Sequence, residues 1–351
     1  MQNDANWMGD LLANYEEFGD IPINKVMLAG SHDSGTYEMG ASARTQNKTI
    51  AEQLELGIRY FDLRPKVHNS VFYIHHGILS SDTLLGTWPP ADLDSGTEIF
   101  AQIRAFLKLH PAEIIILKFQ DFSNFGHDDY KHFAQLLRKY MTFDVELPVR
   151  SRCTLVAPPV RASAGGDVGV KTVRRLVETG PRVFAFFQAK DVPKKMPALW
   201  DYVWTYEPSK ERRPADELWD PFWEDFSTSM ADDKAKEVAT RWFPFHEANH
   251  DTWDGRGFFV MQAQMQVLHG TDLCSAYFNK AERSAKATSG EFTDPDKPGD
   301  LISNNARNAD KFIEWAGLNR PLNIMASDFV EYGGLASKIH RYYRTKLTPK
   351  G

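Results

Sequence analysis

Four short stretches carry side chains that could do acid–base chemistry on a charged substrate. Gly30-Ser31-His32-Asp33-Ser34-Gly35 is a glycine-flanked polar cluster directly after the apolar run Val26-Met27-Leu28-Ala29. Asp62-Leu63-Arg64 ends a run that begins at Gly57, and strand alternation puts its acid and its cation on one face. His75-His76-Gly77 follows Val71-Phe72-Tyr73-Ile74, and Asp328 follows Asn323-Ile324-Met325-Ala326-Ser327. Singly, each has a structural reading: His32 can cap a turn, Asp62 and Arg64 can be a buried ion pair, and His76 can be a loop residue. Together, two histidines, an arginine and three carboxylates suit phosphodiester chemistry. That reaction needs a base for a nucleophilic hydroxyl, an acid for the leaving oxygen and a cation for the phosphoryl charge. Arg64 is always charged, so a metal is not required to hold the phosphate.

The elements that must position these groups alternate between strand and helix. Ile99, Ile103, Phe106 and Leu107 fall on one helical face that stops near His110-Pro111, and Ile114-Ile115-Ile116-Leu117 reads as a buried strand. A second helix has Tyr130, Phe133, Ala134 and Leu137 on its inner face. Strands follow at Arg182–Phe187, Phe258–Met261 and Asn323–Asp328, and Gly333-Gly334 leads into a helix with Leu335, Ile339 and Tyr342 on one face. The pattern predicts an α/β chain whose about six to eight units form a single distorted (β/α)8 TIM-like barrel, one catalytic domain over residues 1–351. Strand C-terminal ends of such a barrel converge on one mouth.

Two stretches break the rhythm. Residues 200–253 hold six of the nine tryptophans and read as an insertion, with a lipid-facing or substrate-facing rim as the functional alternative. Residues 281–300 are rich in Pro, Gly and charge and read as a mobile loop.

Composition narrows the function classes. At 42% hydrophobic and 25% charged residues the chain has the apolar mass for a full core. A net charge of -6 gives no basic field for nucleic acid, and contact with an anionic bilayer would be apolar and transient. Cys153 and Cys274 lie far apart without metal-ligand spacing, so neither a disulfide framework nor a structural zinc site is supported. No run is long and apolar enough to span a membrane, and Met1-Gln2-Asn3-Asp4 has neither a basic nor an apolar leader region. The expectation is a monomer that is cytoplasmic as written, or secreted if a leader has been removed.

The stretch Ile23 to Glu38, then Gln53 with Gly57 to Arg64, then His75-His76-Gly77, then His110-Pro111 with Glu113 to Lys118, resembles the X domain of phosphatidylinositol-specific phospholipase C. The bacterial single-domain, metal-independent enzymes are the nearest type, and the resemblance covers about residues 7–122 and returns at 323–331. It implies that His32 is the general base for the inositol 2-hydroxyl and that His76 is the general acid for the diacylglycerol oxygen. Arg64 would hold the phosphate, Asp33 would work with Arg64 and His76, Asp328 would pair with the base, and Asp62 would be a partner near Arg64. The implied products are diacylglycerol and a cyclic inositol phosphate, with no metal and no cofactor.

The departures fall in the substrate pocket. Where the bacterial relatives place basic residues, the comparable inward positions here are Lys118, Gln120 and Gln188. The same chemistry on a related phospholipid with a non-inositol head group therefore stays open, as does a non-catalytic module that binds a lipid head group. A glycerophosphodiester phosphodiesterase would need a His-Arg-Gly opening and Glu-x-Glu spacing, and neither is present.

Overall fold

The computed structural model describes residues 4–40, 43–90, 92–94, 96–145, 151–155, 171–179, 181–188, 190–191, 204–206, 218–219, 257–263, 309–310, 312–314 and 323–350. Most of the tryptophan-rich stretch, the 281–300 loop and Cys274 lie outside them.

Helices α1 (Trp7–Asn14) and α2 (Glu16–Gly19) precede β1 (Leu28–Ser31). Helix α3 (Ile50–Glu55) begins at a reciprocal cap: the Glu52 N–H donates to Thr49 Oγ1 at 3.2 Å, and the Thr49 N–H donates to Glu52 at 2.9 Å. Strand β2 (Tyr60–Leu63) is followed by an antiparallel three-stranded sheet of β3 (Pro65–His68), β4 (Val71–His76) and β5 (Leu79–Thr87). Then come α4 (Ile99–Leu109), β6 (Ile115–Phe119), α5 (His127–Met141), β7 (Phe143–Val145), β8 (Ser151–Leu155), α6 (Val173–Thr179) and β9 (Pro181–Gln188). Strands β10 (Trp204–Tyr206), β11 (Leu218–Trp219), β12 (Phe258–Gln262) and β13 (Ile324–Ser327) precede the last helix, α7 (Leu335–Lys346).

The main sheet runs β11-β12-β13-β1-β2-β6-β9-β8-β7, with β10 also beside β9. Every pair is parallel except β7 with β8. The last strand, β13, returns to the first, Leu28 beside Ile324, so the sheet curls. Strands β1, β2, β6 and β13 are buried at every position, as apolar runs covered on both faces require.

The antiparallel sheet lies off this path and is held by rings. Phe72 of β4 meets Phe133 of α5 at 5.1 Å, and Phe133 meets Phe119 of β6 at 5.2 Å, both edge-on. Tyr130, Phe133, Ala134 and Leu137 face inward on α5 as the periodicity predicts. On α7 the inner ring is Tyr343, not Tyr342: its hydroxyl accepts the Met27 N–H at 2.8 Å, and Tyr342 is only partly buried. At the N-terminal ends of the strands, Arg59 and Glu113 form a fully buried pair at 2.7 Å.

Candidate active site

The site gathers around the residue after β1's first downstream position. Asp33 adopts a left-handed backbone, φ 42°, which Asp tolerates better than most residues. Its carbonyl accepts the hydroxyls of Thr36 at 2.9 Å and Thr45 at 3.1 Å, so the turn is held from two sides. Gln46 donates to the carbonyls of His32 at 2.8 Å and Ser327 at 2.9 Å, which fastens the end of β1 to the end of β13. Gly30 is required here, because a Cβ would sit 2.8 Å from the Tyr60 ring and 3.2 Å from the Met325 carbonyl.

That joint fixes the first histidine. His32 Nδ1 lies 2.8 Å from Asp328 Oδ1, and because a carboxylate accepts, Nδ1 carries the proton and leaves Nε2 with its lone pair. Nε2 faces Arg64 Nη2 at 3.5 Å and Asp33 Oδ2 at 3.5 Å. Burial lowers the His32 pKa, but the Asp33 and Asp328 carboxylates outweigh it and the net shift is upward.

The second histidine reaches the same carboxylate from another element. His76 is the last residue of β4, so it arrives on the antiparallel sheet and not at a strand end of the parallel one, as the sequence had predicted. Its Nδ1–H donates to the Ala43 carbonyl at 2.8 Å, which leaves Nε2 as the nitrogen that exchanges a proton. Nε2 lies 3.4 Å from Asp33 Oδ2. Arg64 Nε closes on the other carboxylate oxygen, Oδ1. Burial raises the Asp33 pKa, but Arg64 first, then His32, His76 and Lys118, pull it down to about 2.

A second buried layer lies beside this one. Lys118 of β6 is the register partner of Asp62 of β2, with Nζ 3.7 Å from Oδ2, and the Gln120 amide donates to the same oxygen at 3.1 Å. Burial and the nearby Asp33 raise the Asp62 pKa more than Lys118, Arg64 and His32 lower it. Gln188 ends β9 and is 2% exposed. Lys118, Asp62 and Gln120 are thus joined, and Gln188 lies on the neighbouring strand β9, which pairs with β6. Among those residues, the donor atoms of His32, Asp33 and Asp62 also lie within 4.8 Å of one another, close enough to share a cation. The Arg64 guanidinium already occupies the Asp33 side of that space.

Sequence reasoning missed three supporting groups, Thr45, Gln46 and Ala43. Each acts through a loop hydrogen bond with no periodicity or charge to mark it.

Comparison with known proteins bears on family and fold. No family model matches the chain. A mouse protein, PI-PLC X domain-containing protein 2, is 28% identical over 235 residues, covering 56% of this chain and 59% of that protein. The 1-phosphatidylinositol phosphodiesterase of Staphylococcus aureus (strain Newman) is 25% identical over 124 residues, 34% of this chain and 36% of the enzyme. The solved structure of a mutant phosphatidylinositol-specific phospholipase C from Staphylococcus aureus superimposes with a TM-score of 0.58 and covers 97% of this chain and 98% of that one. At 14% identity the last likeness is one of fold. Motifs, relatives and fold together identify this chain as a relative of the phosphatidylinositol-specific phospholipase C X-domain proteins.

Proposed function

We propose that the protein is a metal-independent phosphodiesterase of the phosphatidylinositol-specific phospholipase C type. The observation that carries this reading is the convergence of His32 Nε2 and His76 Nε2 on one carboxylate oxygen of Asp33, at 3.5 and 3.4 Å, with Arg64 on the other oxygen. In the proposed reaction, His32 Nε2 takes the proton of the inositol 2-hydroxyl and that oxygen attacks phosphorus. The bond from phosphorus to the glycerol oxygen breaks, and His76 Nε2 gives that oxygen its proton. The products are diacylglycerol and an inositol 1,2-cyclic phosphate, which water opens more slowly by the reverse use of the same pair. Arg64 supplies the fixed positive charge for the phosphoryl oxygens, in the space a cation would share with Asp33. Asp328 sets the tautomer of the base.

Lys118, Asp62, Gln120 and Gln188 are the proposed wall for the head-group hydroxyls. Because Lys118 and Gln120 are both turned to Asp62, the wall is mostly hydrogen-bonding and not cationic, which favours a related polyol head group as the second reading. A lipid surface suits the rim: Ile78 is 92% and Leu79 43% exposed, two and three residues after His76. The same proposal extends to the architecture. Strands β1, β2, β6, β9, β10, β11, β12 and β13 supply eight parallel strands in chain order, and one closed (β/α)8 domain follows if β10 meets β11.

The test is a phosphorus NMR time course with phosphatidylinositol in mixed micelles containing EDTA. A cyclic inositol phosphate signal is the expected result, and loss of turnover by at least about a hundredfold in His32→Ala and in His76→Ala ties it to the pair. Turnover that disappears in EDTA and returns with a divalent cation would overturn metal independence.

A further inference from the structure

The mechanism above gives no role to His75, one of two further buried histidines among the described residues. His75 is 3% exposed, and its two ring nitrogens both face backbone carbonyls: Nδ1 lies 3.0 Å from Gly77 O and Nε2 lies 2.6 Å from Asp121 O. A carbonyl only accepts. A neutral imidazole has one N–H and one lone pair, so in this setting a neutral ring would aim that lone pair at a carbonyl oxygen. The arrangement is satisfied when both nitrogens carry hydrogen.

The two carbonyls belong to different parts of the site. Gly77, with φ 58°, is in the β4–β5 turn next to His76, and Asp121 follows Gln120 at the end of β6. The Asp121 loop has other ties, since Ser123 exchanges hydrogen bonds with Pro65 and Val67 of β3 at 2.9 and 3.1 Å. The turn is tied by the His75 bond to Asp121 and by the contacts of His76 with Ala43 and Asp33.

We infer that His75 is a positioning residue for the same reaction, a clasp whose two ring nitrogens tie the His76 turn to the end of β6. The inference rests on the proposed role of His76.

Two measurements test the clasp. Amide hydrogen exchange of the full chain should speed up at Gly77 and Ile78 in His75→Phe, whose ring can bond neither carbonyl, while the amides of β6 keep their wild-type rates. Turnover of phosphatidylinositol by the same variant should fall about tenfold in kcat with KM unchanged. Wild-type exchange at the turn, or an unchanged kcat, would overturn the inference. The exchange readout needs no turnover, so a loosened turn in the variant of a protein that is itself inactive would sink the functional reading alone.

Discussion

His32 and Asp328 are joined at 2.8 Å across 296 positions of the chain, a contact made possible by the pairing of the first strand of the parallel sheet with the last. The carboxylate both chooses the tautomer of the ring and contributes to the upward shift of its pKa. Asp328→Asn should therefore lower turnover between about tenfold and a thousandfold. It should also move the acid limb of the rate profile to lower pH, because an amide no longer favours the protonated ring. The pH dependence of kcat in mixed micelles checks both parts, and an unmoved limb would contradict the pairing.

Asp33 makes the fold sensitive to acid. Its pKa is pulled down to about 2 in the folded protein, below the ordinary carboxylate value, so its contribution is present above about pH 4 and is lost as pH falls through about 2. That contribution amounts to about 2 kcal/mol. His32 has the opposite sign: its pKa is raised, so its share is present below the ordinary histidine value and is lost as pH rises through the raised one. Urea unfolding of wild type and Asp33→Asn from acid to neutral pH should show a shallower acid slope in the variant.

The buried pair of Arg59 and Glu113 sits at the end of the sheet away from the histidines. Glu113→Gln leaves a buried cation without its counter-charge and should cost about 3 kcal/mol or more in denaturant unfolding. Turnover per folded molecule should stay near wild type, which separates this pair from Asp33 and Arg64.

Ile78 projects from the turn that carries His76. If the leaving diacylglycerol stays in a bilayer on this side, Ile78→Asp should reduce turnover on phosphatidylinositol vesicles by about tenfold, since a buried aliphatic side chain contributes about 1.5–3 kcal/mol. Turnover of a short-chain substrate below its micelle concentration should change by less than about twofold. An equal fall on both substrates would show that the turn itself had been damaged.

The residue types were legible in the sequence because apolar runs mark where strands stop, and the polar residues at several such stops together make a set suited to one chemistry. His32, Asp33, Asp62, Arg64, His76 and Asp328 could all be named that way, and the order of strands and amphipathic helices indicated an α/β chain with its first strand near its last. Their mutual geometry was not legible. Period-two alternation places Asp62 and Arg64 on one face but says nothing about Asp33, whose left-handed backbone turns one carboxylate toward both histidines. Nor does any local pattern show that His76 arrives on a separate antiparallel sheet, because that sheet is docked by Phe72 against Phe133, residues 61 positions apart. Charges and apolar periods act between near neighbours in sequence, and so they determined which groups and which elements this protein has. Tautomers, the depressed Asp33 carboxyl and the bond from His75 to the Asp121 carbonyl depend on atoms brought together from distant strands, and only the tertiary structure decided them.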